Sequence, residues 1–278
     1  MDIHDLLDRY GIRPSKGLGQ NLLVEDWAYE RIVAASELTR EDHVLEIGPG
    51  LGTLTRRLAD VAGHVTAVEL DARMVAVLDE TLAGRPNVTV RQGDILEIPP
   101  ETLVGDTEAR HYKVVANLPY YITSRVLRHL LTAAVRPSLL TLMVQKEVAD
   151  RIVAVAGDMS LLAVSVQAYG EAARVCTVPA SAFYPRPKVA SAVLSVRTYA
   201  VPLVPLALED HFFRVVRGAF QQRRKQLHNS LRANLALDAA QVDNALRAAG
   251  VEPEARPQTL DVAAWLRLTE ALYPADLG

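Results

Sequence analysis

The sequence predicts an α/β protein: a mostly parallel sheet with helices on both faces, followed by a small C-terminal all-helical domain. Three observations predict it. Between residues 43 and 144, short β-rich runs alternate regularly with amphipathic segments. That is the pattern of parallel strands joined by crossover helices. The first run empties into a Gly-x-Gly-x-Gly turn, Gly48-Pro49-Gly50-Leu51-Gly52. From Glu209 onward the alternation gives way to helical patterning.

The elements follow in order. Leu6, Leu7 and Tyr10 form a short helical apolar face, and the loop Pro14-Ser15-Lys16-Gly17-Leu18-Gly19-Gln20-Asn21 follows it. Trp27 to Leu38 reads as an amphipathic helix, with Ile32, Val33 and Ala35 on one side. His43–Ile47 is the first strand of the alternating region, and Thr53 to Ala62 the helix after its glycine turn. His64–Glu69 is a strand ending on an acid, and Ala72 to Leu82 is helical. Val88–Val90 is a strand followed by Gly93-Asp94. Tyr112–Ala116 is a strand running into Asn117-Leu118-Pro119-Tyr120. Ser124 to Ala133 is helical, and Leu139–Val144 is the next strand. Past Lys146 the pattern loosens. Ala172–Thr177 and Val189–Arg197 read as a closing pair of strands around the stiff loop Phe183-Tyr184-Pro185-Arg186-Pro187-Lys188. Tyr199–Leu208, with Pro202 and Pro205, is a linker. This places one domain over residues 1–200 and a helical one over 201–278.

Composition excludes several classes. Of 278 residues half are hydrophobic, which suits a globular chain with a sizeable core rather than a disordered one. No run reaches the ~18–20 apolar residues of a membrane span. The acidic, polar opening Met1-Asp2-Ile3-His4-Asp5 is unlike a secretory signal. A single cysteine, Cys176, leaves no intramolecular disulfide and no multi-cysteine metal site. We expect a cytoplasmic protein without a metal or a membrane partner. The net charge of −3 argues mildly against nucleic acid. A local patch argues the other way. No acid stands between Asp210 and Asp238, and that stretch carries Arg214, Arg217, Arg223, Arg224, Lys225 and Arg232. With Phe213, Val216, Phe220, Leu227, Leu231 and Leu235 facing the core, the cations form an all-positive helix face, suited to RNA phosphates.

In parallel sheets of this kind, ligands sit at the carboxyl ends of the strands. Those ends carry Gly48 and Gly50, then Glu69, Asp94 and Asn117. The glycine turn lets backbone approach a nucleotide-like ligand, but Thr53 stands where a dinucleotide fingerprint wants its third glycine. Glu69, about 20 residues on, is placed to bind both hydroxyls of a ribose. Asp94 is placed to accept from an adenine amino group, and Glu46 to meet a cationic end. Adenine, ribose and a cationic centre without a required phosphate describe S-adenosylmethionine. Asn117 to Tyr120 offers a polar arm, a stiff backbone and a flat ring, a set suited to a planar amine.

Taken together, Glu46-Ile47-Gly48-Pro49-Gly50-Leu51-Gly52, Glu69, Gly93-Asp94 and Asn117-Leu118-Pro119-Tyr120 resemble the S-adenosylmethionine-dependent rRNA adenine dimethyltransferases. The resemblance runs through nearly the whole chain. It includes Lys16-Gly17-Leu18-Gly19-Gln20-Asn21-Leu22-Leu23, Gln145-Lys146-Glu147-Val148-Ala149 and Phe183-x-Pro185-x-Pro187-Lys188-Val189-x-Ser191. It closes with Phe220-x-Gln222-Arg223-Arg224-Lys225 and Asn229-Ser230-Leu231. It is nearest the small-subunit (16S) branch, and implies a Rossmann-like class I methyltransferase fold. It implies that Asn21, Leu23, Gly48, Gly50, Glu69, Asp94 and Asn117 hold the cofactor. It implies that Asn117, Leu118, Pro119 and Tyr120 hold the target adenine, with Phe183 as the opposite wall. Arg186, Lys188, Arg223, Arg224 and Lys225 are then RNA contacts. The implied reaction is N6,N6-dimethylation of two adjacent adenosines in the hairpin near the 3′ end of 16S rRNA. The substrate would be the small subunit or its late assembly intermediate, acted on by a monomer with a role in subunit biogenesis. Three other functions fit less well. A large-subunit (23S) enzyme of macrolide resistance would favour Asn-Ile-Pro in the target motif. A non-catalytic assembly factor would not need the intact acids. A dehydrogenase is disfavoured by the glycine spacing.

Overall fold

The computed structural model describes residues 7–12, 21–104 and 112–273. Leu6, the loop residues Pro14 to Gln20 and the opening pentapeptide lie outside them. A seven-stranded sheet has the order β4-β3-β2-β5-β6-β9-β7. Its strands are β2 (His43–Ile47), β3 (His64–Glu69), β4 (Val88–Gln92), β5 (Tyr112–Asn117), β6 (Leu139–Gln145), β7 (Gly170–Val178) and β9 (Ser191–Thr198). The first five are parallel, and β9 runs antiparallel to β6. The mostly parallel sheet predicted from the alternation, and the Rossmann-like fold implied by the resemblance, are the architecture found. β2, β5 and β6 are nearly continuous apolar runs, as strands covered on both faces must be.

The helices between them are α1 (Asp26–Ala35), α2 (Thr53–Val61), α3 (Ala72–Thr81) and α4 (Thr123–Leu131). Each buries one stripe; α4 buries Val126, Leu127, Leu130 and Leu131 and leaves Arg125 and Arg128 exposed. A second, two-stranded sheet pairs β1 (Leu22–Leu23) with β8 (Phe183–Tyr184), Leu23 lying opposite Phe183. The order reverses between β2 and β5: β3 and β4 build out on one side, β5 and β6 on the other. This switch point is where a crevice opens at the strand ends.

The chain divides into two units, Met1–Ala149 with Ala173–Thr198, and Asp150–Ala172 with Tyr199–Gly278. The units are not two consecutive stretches meeting at residue 200. Residues 150–172, which include α6 (Leu161–Gln167), group with the helical part. Backbone bonds explain this: Gly157 and Met159 both donate to the Gln258 carbonyl, and Tyr199 and Leu203 donate to the Tyr169 and Ala168 carbonyls. The helical unit also holds α7 (Glu209–Phe220), α8 (Leu227–Leu235), α9 (Ala239–Ala248) and α10 (Val262–Leu272). A further helix, α5 (Lys146–Ile152), spans the first break between the units. Asp238 and Gln241 form a reciprocal capping box that starts α9, and Asp261 caps α10. Trp265 is fully buried, with the Phe220 ring 5.8 Å away.

Two sequence expectations are corrected here. Phe212 and Val215, not Phe213, lead the buried stripe of α7. Arg223, Arg224 and Lys225 lie on the exposed turn between α7 and α8 and not on a helix face, because α7 ends at Phe220. Among the described residues no helix is long and apolar enough to cross a membrane.

Candidate active site

Strand register sets the site. Ile47 pairs with Val68 on one side and Ala116 on the other, so Gly48, Glu69 and Asn117, one residue on, emerge side by side. Glu69 pairs with Gln92, which brings Asp94 to the next strand end. One cleft is lined by Asn21, Gly48, Gly50, Glu69, Asp94, Asn117, Leu118, Pro119 and Tyr120. These are nine of the predicted site residues, drawn from segments nearly a hundred residues apart. Leu22, Asp71, Met74, Tyr121 and Arg125 line it as well.

The glycine turn needs its glycines. Gly48, Gly50 and Gly52 all have positive φ, +67°, +56° and +79°. A side chain in that region is strained. At Gly48 a Cβ would meet no protein atom within 4 Å, so the turn presents bare backbone to the cleft. At Gly52 a Cβ would stand 3.0 Å from the Thr81 hydroxyl, so this glycine serves the packing of α2 against α3.

The acids differ in environment. Glu69 is 7% exposed, and each carboxylate oxygen is tied to backbone. Oε1 accepts from the Asp71 N–H at 2.9 Å and Oε2 from the Gly50 N–H at 3.2 Å. Burial raises its pKa, and those two N–H groups offset part of the rise. A carboxylate fixed this way keeps further lone pairs for two hydroxyl donors. Asp94 accepts from the Leu96 N–H at 2.9 Å through Oδ1. Glu46 is 1% exposed, and its Oε2 has no partner among the described residues. Burial pushes its carboxyl up to about 8, with the Glu69 charge adding to the rise. It lines a smaller pocket shared with Leu22, Leu23, Tyr29, Gly48, Gly50 and Asn117.

The Asn117 corner is locked. The Asn117 amide donates to the Asn21 carbonyl at 3.1 Å, which leaves Oδ1 as an acceptor for something else. The Leu118 N–H donates to the Met143 carbonyl at 3.2 Å. Tyr120 shares a 2.7 Å hydrogen bond with the Ser191 hydroxyl. Burial raises the Tyr120 pKa against the lowering effect of that bond. Ser191 is fully buried at the start of β9, opposite Gln145 at the end of β6. In the sequence Ser191 stands only as the end of the Phe183-to-Ser191 motif, and nothing in its spacing signals that its hydroxyl meets Tyr120.

Two predicted residues lie elsewhere. Leu23 lines the smaller pocket and not the main cleft. Phe183 is 4% exposed in the hydrophobic core, opposite Leu23 across the β1–β8 pair, and is absent from the cleft lining. That pair is tied further: Val24 N–H donates to the Ala182 carbonyl at 2.9 Å, and the Tyr29 hydroxyl to the Leu23 carbonyl at 2.7 Å. Phe183 thus packs under the segment that brings Asn21 and Leu22 to the cleft. Arg186 and Lys188 are exposed on the loop after β8.

Comparison with known proteins places this geometry. A family model described as ribosomal RNA adenine dimethylase matches residues 13–273. The ribosomal RNA small subunit methyltransferase A of Moorella thermoacetica is 45% identical over 275 residues, covering 96% of this chain and 95% of that one. The protein of the same name from Dehalococcoides mccartyi strain CBDB1 is 42% identical over 264 residues, covering 95% and 90%. Among solved structures, the 23S rRNA methyltransferase ErmE aligns with a TM-score of 0.72 at 33% identity, over 91% of this chain and 99% of that one. A dimethyladenosine transferase from Plasmodium falciparum aligns at 0.74 and 26% identity, over 89% and 95%.

Proposed function

Since this chain belongs to the ribosomal RNA adenine dimethylase family, we propose that it dimethylates N6 of two adjacent adenosines near the 3′ end of small-subunit (16S) rRNA, with S-adenosylmethionine as donor. The substrate is the small subunit or a late assembly intermediate of it, and the protein acts in the cytoplasm as a monomer. The observation that carries the reading is the Asn117 amide. It is oriented by the Asn21 carbonyl and sits at the switch point, in one cleft with Glu69 and Asp94. Relatives named for the small subunit stand at 39–45% identity and the 23S enzyme at 33%, which favours the small-subunit substrate.

The residues fit the donor. Bare backbone at Gly48, where a Cβ would meet no protein atom within 4 Å, leaves room for it. The Glu69 carboxylate, held by two backbone N–H groups, accepts from the ribose hydroxyls, and Asp94 from the adenine amine. Glu46 is the buried acid for a cationic end. Asn21 and Leu23 close the methionine side. S-adenosylmethionine supplies, when bound, a methyl group on a positively charged sulfur that departs without acid assistance.

The rest falls to the chain. The exocyclic amine of adenine is a poor nucleophile because its lone pair is delocalised into the ring. In the first transfer Asn117 Oδ1 and the Leu118 carbonyl accept its two hydrogens, and in the second one of them accepts the single hydrogen left. Either way the nitrogen is favoured pyramidal with a localised pair, and the proton displaced by each methyl passes to solvent. Tyr120 stacks on the extruded base, and Pro119 stiffens the backbone that carries both groups. Catalysis is then positioning with charge stabilisation, and no strong base is required. Phe183 acts through packing, holding β1 so that Asn21 stays over Asn117. Arg223, Arg224 and Lys225, with Arg186 and Lys188, meet RNA phosphates.

The Asn117→Ala variant tests the reading. Methyl transfer to small-subunit RNA should fall by about 100-fold or more, while calorimetry still detects donor binding. Full activity in the variant would remove Asn117 from the chemistry.

A further inference from the structure

The main cleft has two ends of different chemistry. The β3 and β4 ends carry the acids Glu69, Asp71 and Asp94. The β5 end carries Leu118, Pro119, Tyr120, Tyr121, Ile122 and then Arg125. Tyr120 to Ile122 form a single 3₁₀ turn. With three residues per turn, successive side chains leave the axis about 120° apart. One ring therefore turns inward: Tyr120, bonded to Ser191. The next turns outward: Tyr121 is 58% exposed, with no hydrogen bond to any described residue. Arg125, four residues on in the first turn of α4, is exposed, and its side chain makes no ion pair or hydrogen bond with any described residue. An exposed tyrosine or a free arginine alone is ordinary surface. An exposed ring and an unpaired cation, four residues apart in the chain and both lining one cleft, are not accounted for by holding the donor or the target base.

We propose that Tyr121 and Arg125 form the platform for the nucleotide next to the target adenosine. The neighbouring base stacks on the Tyr121 ring, and Arg125 meets the phosphate that joins the two. The proposal rests on the reading that the substrate is a pair of adjacent adenosines. One Asn117 amide serves one amine at a time, so the other adenosine must wait outside the inner cleft. A flat ring at the rim gives it a place to stack, and stacking tolerates either member of the pair. Tyr121 and Arg125 are thus binding residues for RNA and have no part in donor binding.

The test uses the full-length protein, S-adenosylmethionine and unmodified small subunits, with methylation of each adenosine followed separately. Tyr121→Ala should raise KM for the RNA about tenfold, with kcat nearly unchanged and donor affinity within twofold of wild type. Tyr121→Phe should restore KM, since the ring face and not the hydroxyl does the work. Arg125→Ala should raise KM and lower its salt dependence by about one phosphate's worth. An unchanged KM in both alanine variants would overturn the platform, and so would a loss of donor affinity in Tyr121→Ala. Failure of the underlying reading looks different. Wild type itself would then leave small-subunit RNA unlabelled, and the same KM comparison would be made on whichever rRNA it does label.

Discussion

At the residue scale the account turns on how tightly polar atoms at the cleft are held. Tyr120 keeps its ring in place through one hydrogen bond to a fully buried serine. Such a bond contributes about 0.5–1.5 kcal/mol net. Ser191→Ala and Tyr120→Phe should therefore lower kcat/KM by similar amounts, roughly three- to tenfold. The double variant should lose little more than either single one, because both remove the same bond. Losses that add in the double variant would show that Ser191 acts elsewhere. Glu46 gives a pH signature. Its pKa in the folded protein, about 8, stands well above the usual carboxylate range. In the folded state it keeps a proton that the unfolded chain releases, so stability is lost as pH rises from about 4.5 to about 8. Glu46→Gln removes that loss. The melting temperature of the variant relative to wild type should climb between pH 5 and pH 8 in donor-free protein. A difference that stays flat would mean the carboxyl is ionised in the fold.

At the element scale the glycine turn is the strongest constraint. Gly52 combines a left-handed backbone with a Cβ position 3.0–3.2 Å from Thr81, Leu78 and Leu82. Backbone strain and overpacking both apply, so Gly52→Ala should cost about 2 kcal/mol or more, read as a lower urea midpoint. An unchanged midpoint would show that α2 and α3 can part without cost. This turn and its flanking strands were legible in the sequence because their signals are local: period, glycine spacing and a terminal acid within thirty residues. The β1–β8 pair was not legible. Two-residue strands carry no period, and their partners are more than a hundred and fifty residues apart. The α7 stripe shows a subtler miss. Phe212, Val215, Val216 and Ala219 fill the i, i+3, i+4, i+7 template, but a small alanine is easily passed over for a neighbouring phenylalanine. For the same reason the strand-end acids and Asn117 could be placed from sequence, whereas the Ser191 hydroxyl, the Asn21 carbonyl and the core position of Phe183 depend on pairings that only the fold creates.

At the scale of the whole molecule, charge and architecture separate the two tasks. The net charge is −3, yet the stretch from 211 to 237 carries no acid, and its Arg223, Arg224 and Lys225 stand exposed on one turn. The sheet unit carries the cleft, and the helical unit carries this basic turn. A chain average conceals that division. The central claim is that the cleft accepts adenosines of small-subunit rRNA, and nucleotide mapping tests it most directly. Wild-type protein and S-adenosylmethionine are incubated with unmodified small subunits and, separately, with large-subunit RNA, and the modified positions are located by mass spectrometry. The account predicts N6,N6-dimethyladenosine at two adjacent positions near the 3′ end of the small-subunit RNA, and none in the large. Methylation confined to large-subunit RNA would contradict it.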